Sequence, residues 1–192
     1  MSSPSPPADA FLADHFLIAM PSLADSNFAR GVTLLCQHDQ DGAMGLTINR
    51  RSDFLLGEIL RQMGIDTDLP ELASQPVLLG GPVNPDHGFV LHDDARDWGS
   101  TLRFGRGLAV TNSRDVLEAL ARGEGPARCI VVLGYAGWGA GQLEAELVDN
   151  AWLTGPADPA VVFDTPLEAR WRAAAGTIGV DLDLLSDAVG HA

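Results

Sequence analysis

Between Cys129 and Leu153 an apolar, β-branched run leads straight into four glycines within eight residues, and few folds accommodate that combination. Cys129-Ile130-Val131-Val132-Leu133 reads as a buried strand. Gly134, Gly137, Gly139 and Gly141 follow. Glycine clusters where the backbone needs positive φ or where another group must approach the main chain closely. The unit therefore reads as strand, glycine-rich loop and helix. Leu143 and Leu147 sit four apart on the helix's inner face, and a short strand around Trp152 closes the unit.

The flanking sequence reads as alternating hairpins and helices. His15–Met20 and Val32–His38 have strand character, and Asp39-Gln40-Asp41-Gly42 supplies turn chemistry before a strand at Gly45–Asn49. Ser52 or Asp53 is placed to cap a helix with Leu56, Ile59, Leu60 and Met63 on one face, and Gly64 stops it. Val77–Leu79 and Gly88–His92 read as a strand pair joined through Gly80-Gly81-Pro82, and Leu108–Thr111 as a further strand. Ser113 caps a helix carrying Val116, Leu117 and Leu120 that ends at Gly123. Val161–Phe163 reads as a strand, and Thr165-Pro166-Leu167-Glu168 as a capping box opening a helix whose inner face continues through Trp171 and Ala174. This mixture predicts an α+β fold and not a doubly wound parallel sheet.

At 192 residues the chain suits a single domain over residues 15–192, preceded by a Ser/Pro-rich tail, residues 1–14, expected to be disordered. The tail carries no basic residue and does not read as a secretory signal. With no window fit to span a bilayer and two cysteines expected to be reduced thiols, the expected compartment is the cytoplasm, without membrane insertion. All 12 basic residues are arginines, which excludes a Walker lysine and a Schiff-base lysine. Those arginines are scattered through a chain of net charge −14, so no direct nucleic-acid binding is expected.

Several segments, in order, carry a family resemblance. They include His15-Phe16-Leu17-Ile18-Ala19-Met20-Pro21, Cys36-Gln37-His38 before Gly42-Ala43-Met44-Gly45, and Gly80-Gly81-Pro82. Ser113-Arg114-Asp115-Val116-Leu117-Glu118, Gly134-Tyr135-Ala136 with Trp138, Gly141-Gln142-Leu143-Glu144, Asn150-Ala151-Trp152-Leu153 and Arg170-Trp171-Arg172 continue it. From His15 onward the chain resembles the YqgE/AlgH family of bacterial proteins. The resemblance implies antiparallel strands curled into a barrel-like core with helices packed outside. It implies no established catalytic residues. One branch of the family is named as a regulator of exopolysaccharide (alginate) production, without a settled biochemical activity.

Three functional classes follow. The first is a non-catalytic module that binds a protein partner or a small neutral polar ligand around Gly134, Tyr135, Gly137, Trp138, Gly139, Gly141 and Gln142. Tyr135 and Trp138 are of the amphipathic type that concentrates binding energy. The competing interpretation makes Trp138 a packed core residue that the glycines admit. The second class is an enzyme using Cys36 and His38 or the glycine-rich loop. Two apart on a strand, that pair would share a face at roughly 7 Å, with Cys36 in the core and His38 at the solvated end of a hairpin. The third is a transcriptional regulator of the exopolysaccharide type. No dinucleotide motif is complete, because Gln142 stands where the third glycine belongs. No metal-ligand spacing is present and no cofactor is expected.

Overall fold

The strand β9 (Cys129–Gly139) is the axis on which the sheet is assembled. The computed structural model describes residues 11–189. Within them β9 does not stop at its first glycine: Gly134, Gly137 and Gly139, expected in a loop, are strand residues. On one side β9 pairs antiparallel with β3 (Gly42–Thr47) through Ala136–Gly139 and parallel with β5 (Pro76–Leu79) through Val132 and Leu133. Its other side takes β6 (Val83–His92) antiparallel. The segments read as a strand pair, β5 and β6, therefore flank β9 instead of pairing with each other.

Passing from one side of β9 to the other, the chain carries Gly80 and Gly81 directly over Gly134 and Tyr135. A Cβ on Gly80 or Gly81 would collide with Gly134 or Tyr135 backbone atoms, and one on Gly134 with the Gly81 carbonyl. Gly80 is fixed there by donating to the Leu133 carbonyl and accepting from the Thr47 amide, both at 2.8 Å. Gly134 has φ 73°, and the strand's facing reverses at it. Before it, Val131 and Leu133 share a cluster with the helices α1 (Leu56–Gln62) and α3 (Arg114–Ala121). After it, Ala136 and Trp138 face the helix α4 (Gln142–Val148).

The remaining strands extend the sheet in the order β10-β1-β2-β3-β9-β6-β8-β7, with β4 on β5. Here β1 is His15–Ala19, β2 Val32–Asp39, β4 Arg51–Leu55, β7 Thr101–Phe104, β8 Leu108–Thr111 and β10 Trp152–Pro156. This antiparallel sheet, with β5 its parallel exception, curls into a half-barrel that brings β7 back against β2. Alternation splits each strand between faces. Phe16, Ile18, Leu34, Leu91 and Val132 face α5 (Pro159–Phe163), α6 (Arg170–Thr177) and α7 (Leu182–Val189). Leu17, Ala19 and Leu35 turn to α4. The remaining helix, α2 (Pro70–Ala73), packs beside α1.

Local signals account for most elements and fail at three. The hairpin forms as expected, with Asp39 opposite Gly42 and the Asp41 amide donating to Asp39 Oδ1 at 2.8 Å. Ser52 and Asp53 lie in β4 and do not cap α1; Glu58 instead accepts from the Leu55 amide at 2.7 Å. Val161–Phe163 is helical, because Asp158 accepts from the Ala160 amide at 2.9 Å and Pro159 occupies the first turn. Thr165 donates back to the Ala160 carbonyl instead of capping, and a 3-10 turn at Leu167–Ala169 precedes α6. The expectation of a tail falls for Met1–Ala10 outside the described residues. Phe11–Asp14 is tied to the sheet, the Asp14 amide donating to the Leu35 carbonyl at 2.9 Å.

The crossing sets an expected difference between two glycines with nearly equal φ. Gly141, at φ 75°, has nothing within 4 Å of an added Cβ. Gly141→Ala should cost on the order of 1 kcal/mol from backbone strain, and Gly134→Ala at least about 1 kcal/mol more, because it also displaces a backbone. Urea denaturation of both variants measures this; equal losses would mean that the crossing does not require glycine.

Candidate functional site

The helix α4 is short, and side chains bind it to the sheet. Gly141, in the left-handed region, turns the chain into it, and Gln142 Oε1 accepts from the Gly139 amide at 3.0 Å. One turn on, Glu146 Oε2 accepts two indole N–H bonds, from Trp138 at 2.8 Å and Trp152 at 2.9 Å. Phe28 stacks on Trp138 at 6.2 Å between centroids and meets Trp152 edge-on at 5.5 Å. Trp138 is only 6% exposed. It is a core tryptophan held by the Glu146 carboxylate.

His38 and Cys36 do not share a face. The β2–β3 register slips between Leu35 and Gln37, making Cys36 an extra residue in its strand. Cys36 stays in the cluster of Val32 and Leu34, whereas His38, opposite Ala43, faces α4. There His38 is buried instead of solvated. Its Nδ1 accepts from the Leu12 amide at 2.9 Å, which assigns the proton to Nε2, and Nε2 donates to Glu144 Oε1 at 2.6 Å. Burial raises the Glu144 carboxyl's pKa, but hydrogen bonds from its own amide and from His38 outweigh that and lower it overall. The Cys36 thiol finds only the Leu34 carbonyl, at 3.7 Å, and burial pushes it far above the ordinary thiol range. Cys129, partly exposed, is pushed up to about 11 by burial and by Asp93. Neither thiol has the electropositive surroundings that make a thiolate nucleophile.

Of the expected site residues, Tyr135, Gly137 and Trp138 border an open depression of about 530 Å³, the Trp138 ring itself being buried toward α4. Across it stand Gln37, Asp39 and Asp41 from the β2–β3 hairpin. Tyr135 lies beside Gly137, where an added Cβ would meet its Cε2 at 3.4 Å. Gly134 belongs to the crossing, while Gly139, Gly141 and Gln142 shape the entry to α4. On the side away from β3, β6 begins at Val83, paired with Tyr135, and among the described residues no strand pairs with β9 beyond that point. Among the described residues, Gly137 therefore has one strand partner and one open edge, while the Gly139 amide is already taken by Gln142. Asp39 and Asp41 were absent from the sequence-based site, because turn chemistry alone explains them. Among the described residues no three His, Cys, Asp or Glu side chains gather as a metal site, and no helix is long and apolar enough to cross a membrane.

An AlgH-like family model (DUF179) matches residues 16–183. A UPF0301 protein of Xanthomonas campestris pv. campestris (strain B100) is 60% identical over 181 residues, covering 94% of this chain and 96% of its own. A UPF0301 protein of Stenotrophomonas maltophilia (strain K279a) is also 60% identical, over 180 residues, with the same coverage. The solution structure of the AlgH protein from Pseudomonas aeruginosa superposes with a TM-score of 0.79 at 51% identity over 97% of each chain. A crystal structure from Corynebacterium diphtheriae, 22% identical, has the same fold with a TM-score of 0.72 over 96% of this chain and 93% of that one.

Two measurements test this geometry. Glu146→Ala should destabilise the protein by about 2 kcal/mol, because two indole donors lose their acceptor, and should shift tryptophan emission. Glu146→Gln, which keeps an acceptor, should lose less. Iodoacetamide at neutral pH should label Cys36 more slowly than Cys129, and His38→Ala should not accelerate it. Rapid Cys36 labelling at pH 6 would contradict the buried, unpartnered thiol.

Proposed function

The chain belongs to the AlgH-like family, and we propose that it works as a non-catalytic module that binds a protein partner at the depression beside Tyr135. Supporting this reading above all is the short strand edge left open at Gly137, beside the Gly139 amide that Gln142 takes. An open edge accepts an extended segment through main-chain hydrogen bonds, and side-chain pockets beside it supply selectivity. Tyr135 offers a broad half-buried ring, and Asp39 and Asp41 place negative charge along one rim. The partner suited to this edge is an extended segment bearing basic side chains, steered by a chain of net charge −14.

The enzyme reading has less support, since Cys36 and His38 face opposite sides of the sheet. The scattered arginines do not favour a duplex. The unit of binding on this proposal is the single domain spanning residues 15–192, acting in the cytoplasm.

An alternating arginine–valine peptide is the appropriate probe, followed by fluorescence anisotropy. Binding should saturate, weaken with added salt, and fall at least about tenfold (~1.4 kcal/mol) in Tyr135→Ala, assayed well below a melting temperature lowered by loss of the ring's contact with Phe89. Absence of saturable binding, or binding that Tyr135→Ala leaves unchanged, would remove this reading.

A further inference from the structure

A second cavity lies on the α1/α3 side of the sheet, separate from the Tyr135 depression. It is narrower, about 310 Å³, at the small end of the ~300–1,000 Å³ range of ligand pockets. Its floor is Val131 and Leu133 of β9, and Leu117 of α3 forms an apolar wall. Gln62, at the end of α1, and Asn112, just before α3, present exposed carboxamides at the rim.

Gly88 sits in this cleft, and neither backbone strain nor a close neighbour explains its identity. It pairs with Leu133 within β6. It is absent from the residues with positive φ, and nothing lies within 4 Å of an added Cβ. It ends the irregular stretch of β6, but neither its φ nor a close neighbour requires glycine there, and glycine in a strand carries an entropic cost and gives up side-chain packing. What it does is keep the space above Leu133 open. Strand glycines mark bulges, tight bends or places where a ligand comes close, and here the open space beside the glycine favours a ligand.

The surrounding charges narrow the ligand class. The α3 N-terminus is already occupied by an acid: Asp115 accepts from the Val116 amide at 3.0 Å and from the Ser113 hydroxyl. The Arg114 guanidinium is committed to Glu118 at 2.7 Å and to the Met63 carbonyl at 2.6 Å. A phosphate or carboxylate would meet Asp86, with Arg114 committed and His87 the only other basic side chain lining the cleft. Two carboxamides above an apolar floor suit a group offering a donor and an acceptor side by side. We propose that this cleft binds a small, neutral, ring-containing molecule with an amide-type edge, the chemistry of a free nucleobase or a cyclic or aromatic carboxamide.

Adenine, uracil and nicotinamide serve as probes, titrated into the full-length ¹⁵N-labelled protein to about 10 mM, enough to fill most of a ~1 mM site. At least one should shift the Gly88, Asn112 and Leu117 amides saturably. Gly88→Val, which fills the open space, should abolish those shifts while leaving the melting temperature equal to or above that of the parent. Asn112→Ala, on the exposed rim, should weaken binding about tenfold with the fold intact. The proposal is overturned by the absence of saturable shifts with all three probes or by shifts that survive Gly88→Val. It is equally overturned by a Gly88→Val protein that is destabilised or does not fold, since glycine would then be structurally required.

Discussion

The passage of Gly80 and Gly81 over Gly134 and Tyr135 is the constraint on which the rest of the sheet depends. A strand running parallel to β9 on one side must deliver the chain to an antiparallel strand on the other, within the residues between Leu79 and Val83. Two backbones can come that close only where neither carries a Cβ. Because Gly134 takes a left-handed conformation to allow it, the outward face of β9 switches from odd to even residues. That switch puts Trp138 under α4 while Leu133 stays under α1 and α3. One kink thus distributes the helices over the sheet.

With Trp138 turned toward α4, a helix of 7 residues is held by polar bonds as much as by apolar area. Only Leu143 of α4 is fully buried. Glu146 gathers two indoles from different strands, β9 and β10, and Glu144 meets His38 of β2. Each bond is to a group in low-dielectric surroundings, where an unmade hydrogen bond is costly. His38 transmits the arrangement one step further, since its second nitrogen holds the Leu12 amide and so fixes the entry into β1. The two carboxylates, two residues apart, serve different partners because they point in different directions around the helix.

What was legible in the sequence was local, and what escaped was set by distant residues. Gly64 and Gly123 end their helices at φ 72° and 76°, and Asp39–Gly42 turns its hairpin, because those positions depend only on neighbours. The antiparallel, curled sheet followed from the family resemblance together with the hairpin pattern. The glycines of β9 read as a loop because a crossing needs the same residues as a turn, and the chain it must clear lies some fifty positions upstream. Val161 and Val162 have strand propensity, but Asp158 and Pro159 outweighed it. A bulge at Cys36 has no compositional signature, so strict alternation put Cys36 and His38 on one face when the fold separates them. Asp39 and Asp41 escaped the expected site because a sufficient local reason for them was already in hand.

The crossing also accounts for the room in the two cavities. Having passed over β9, β6 pairs once, Val83 with Tyr135, and does not resume its register until Gly88 meets Leu133. Asn84, at φ 46°, carries the chain out between those two points. A segment that leaves the ladder gives up packing on both of its flanks. On one flank Val83 borders the depression beside Tyr135 and the open edge of β9; on the other, Asp86, His87 and Gly88 border the cleft under α1 and α3. Both cavities thus border the same excursion, residues 84–87, or its paired ends, and neither requires a fault in the core. Close-packed interiors hold few voids larger than a water molecule, so room concentrates where topology forces a strand away from its partner. In this fold the strand that must cross its neighbour is also the strand that makes space beside it.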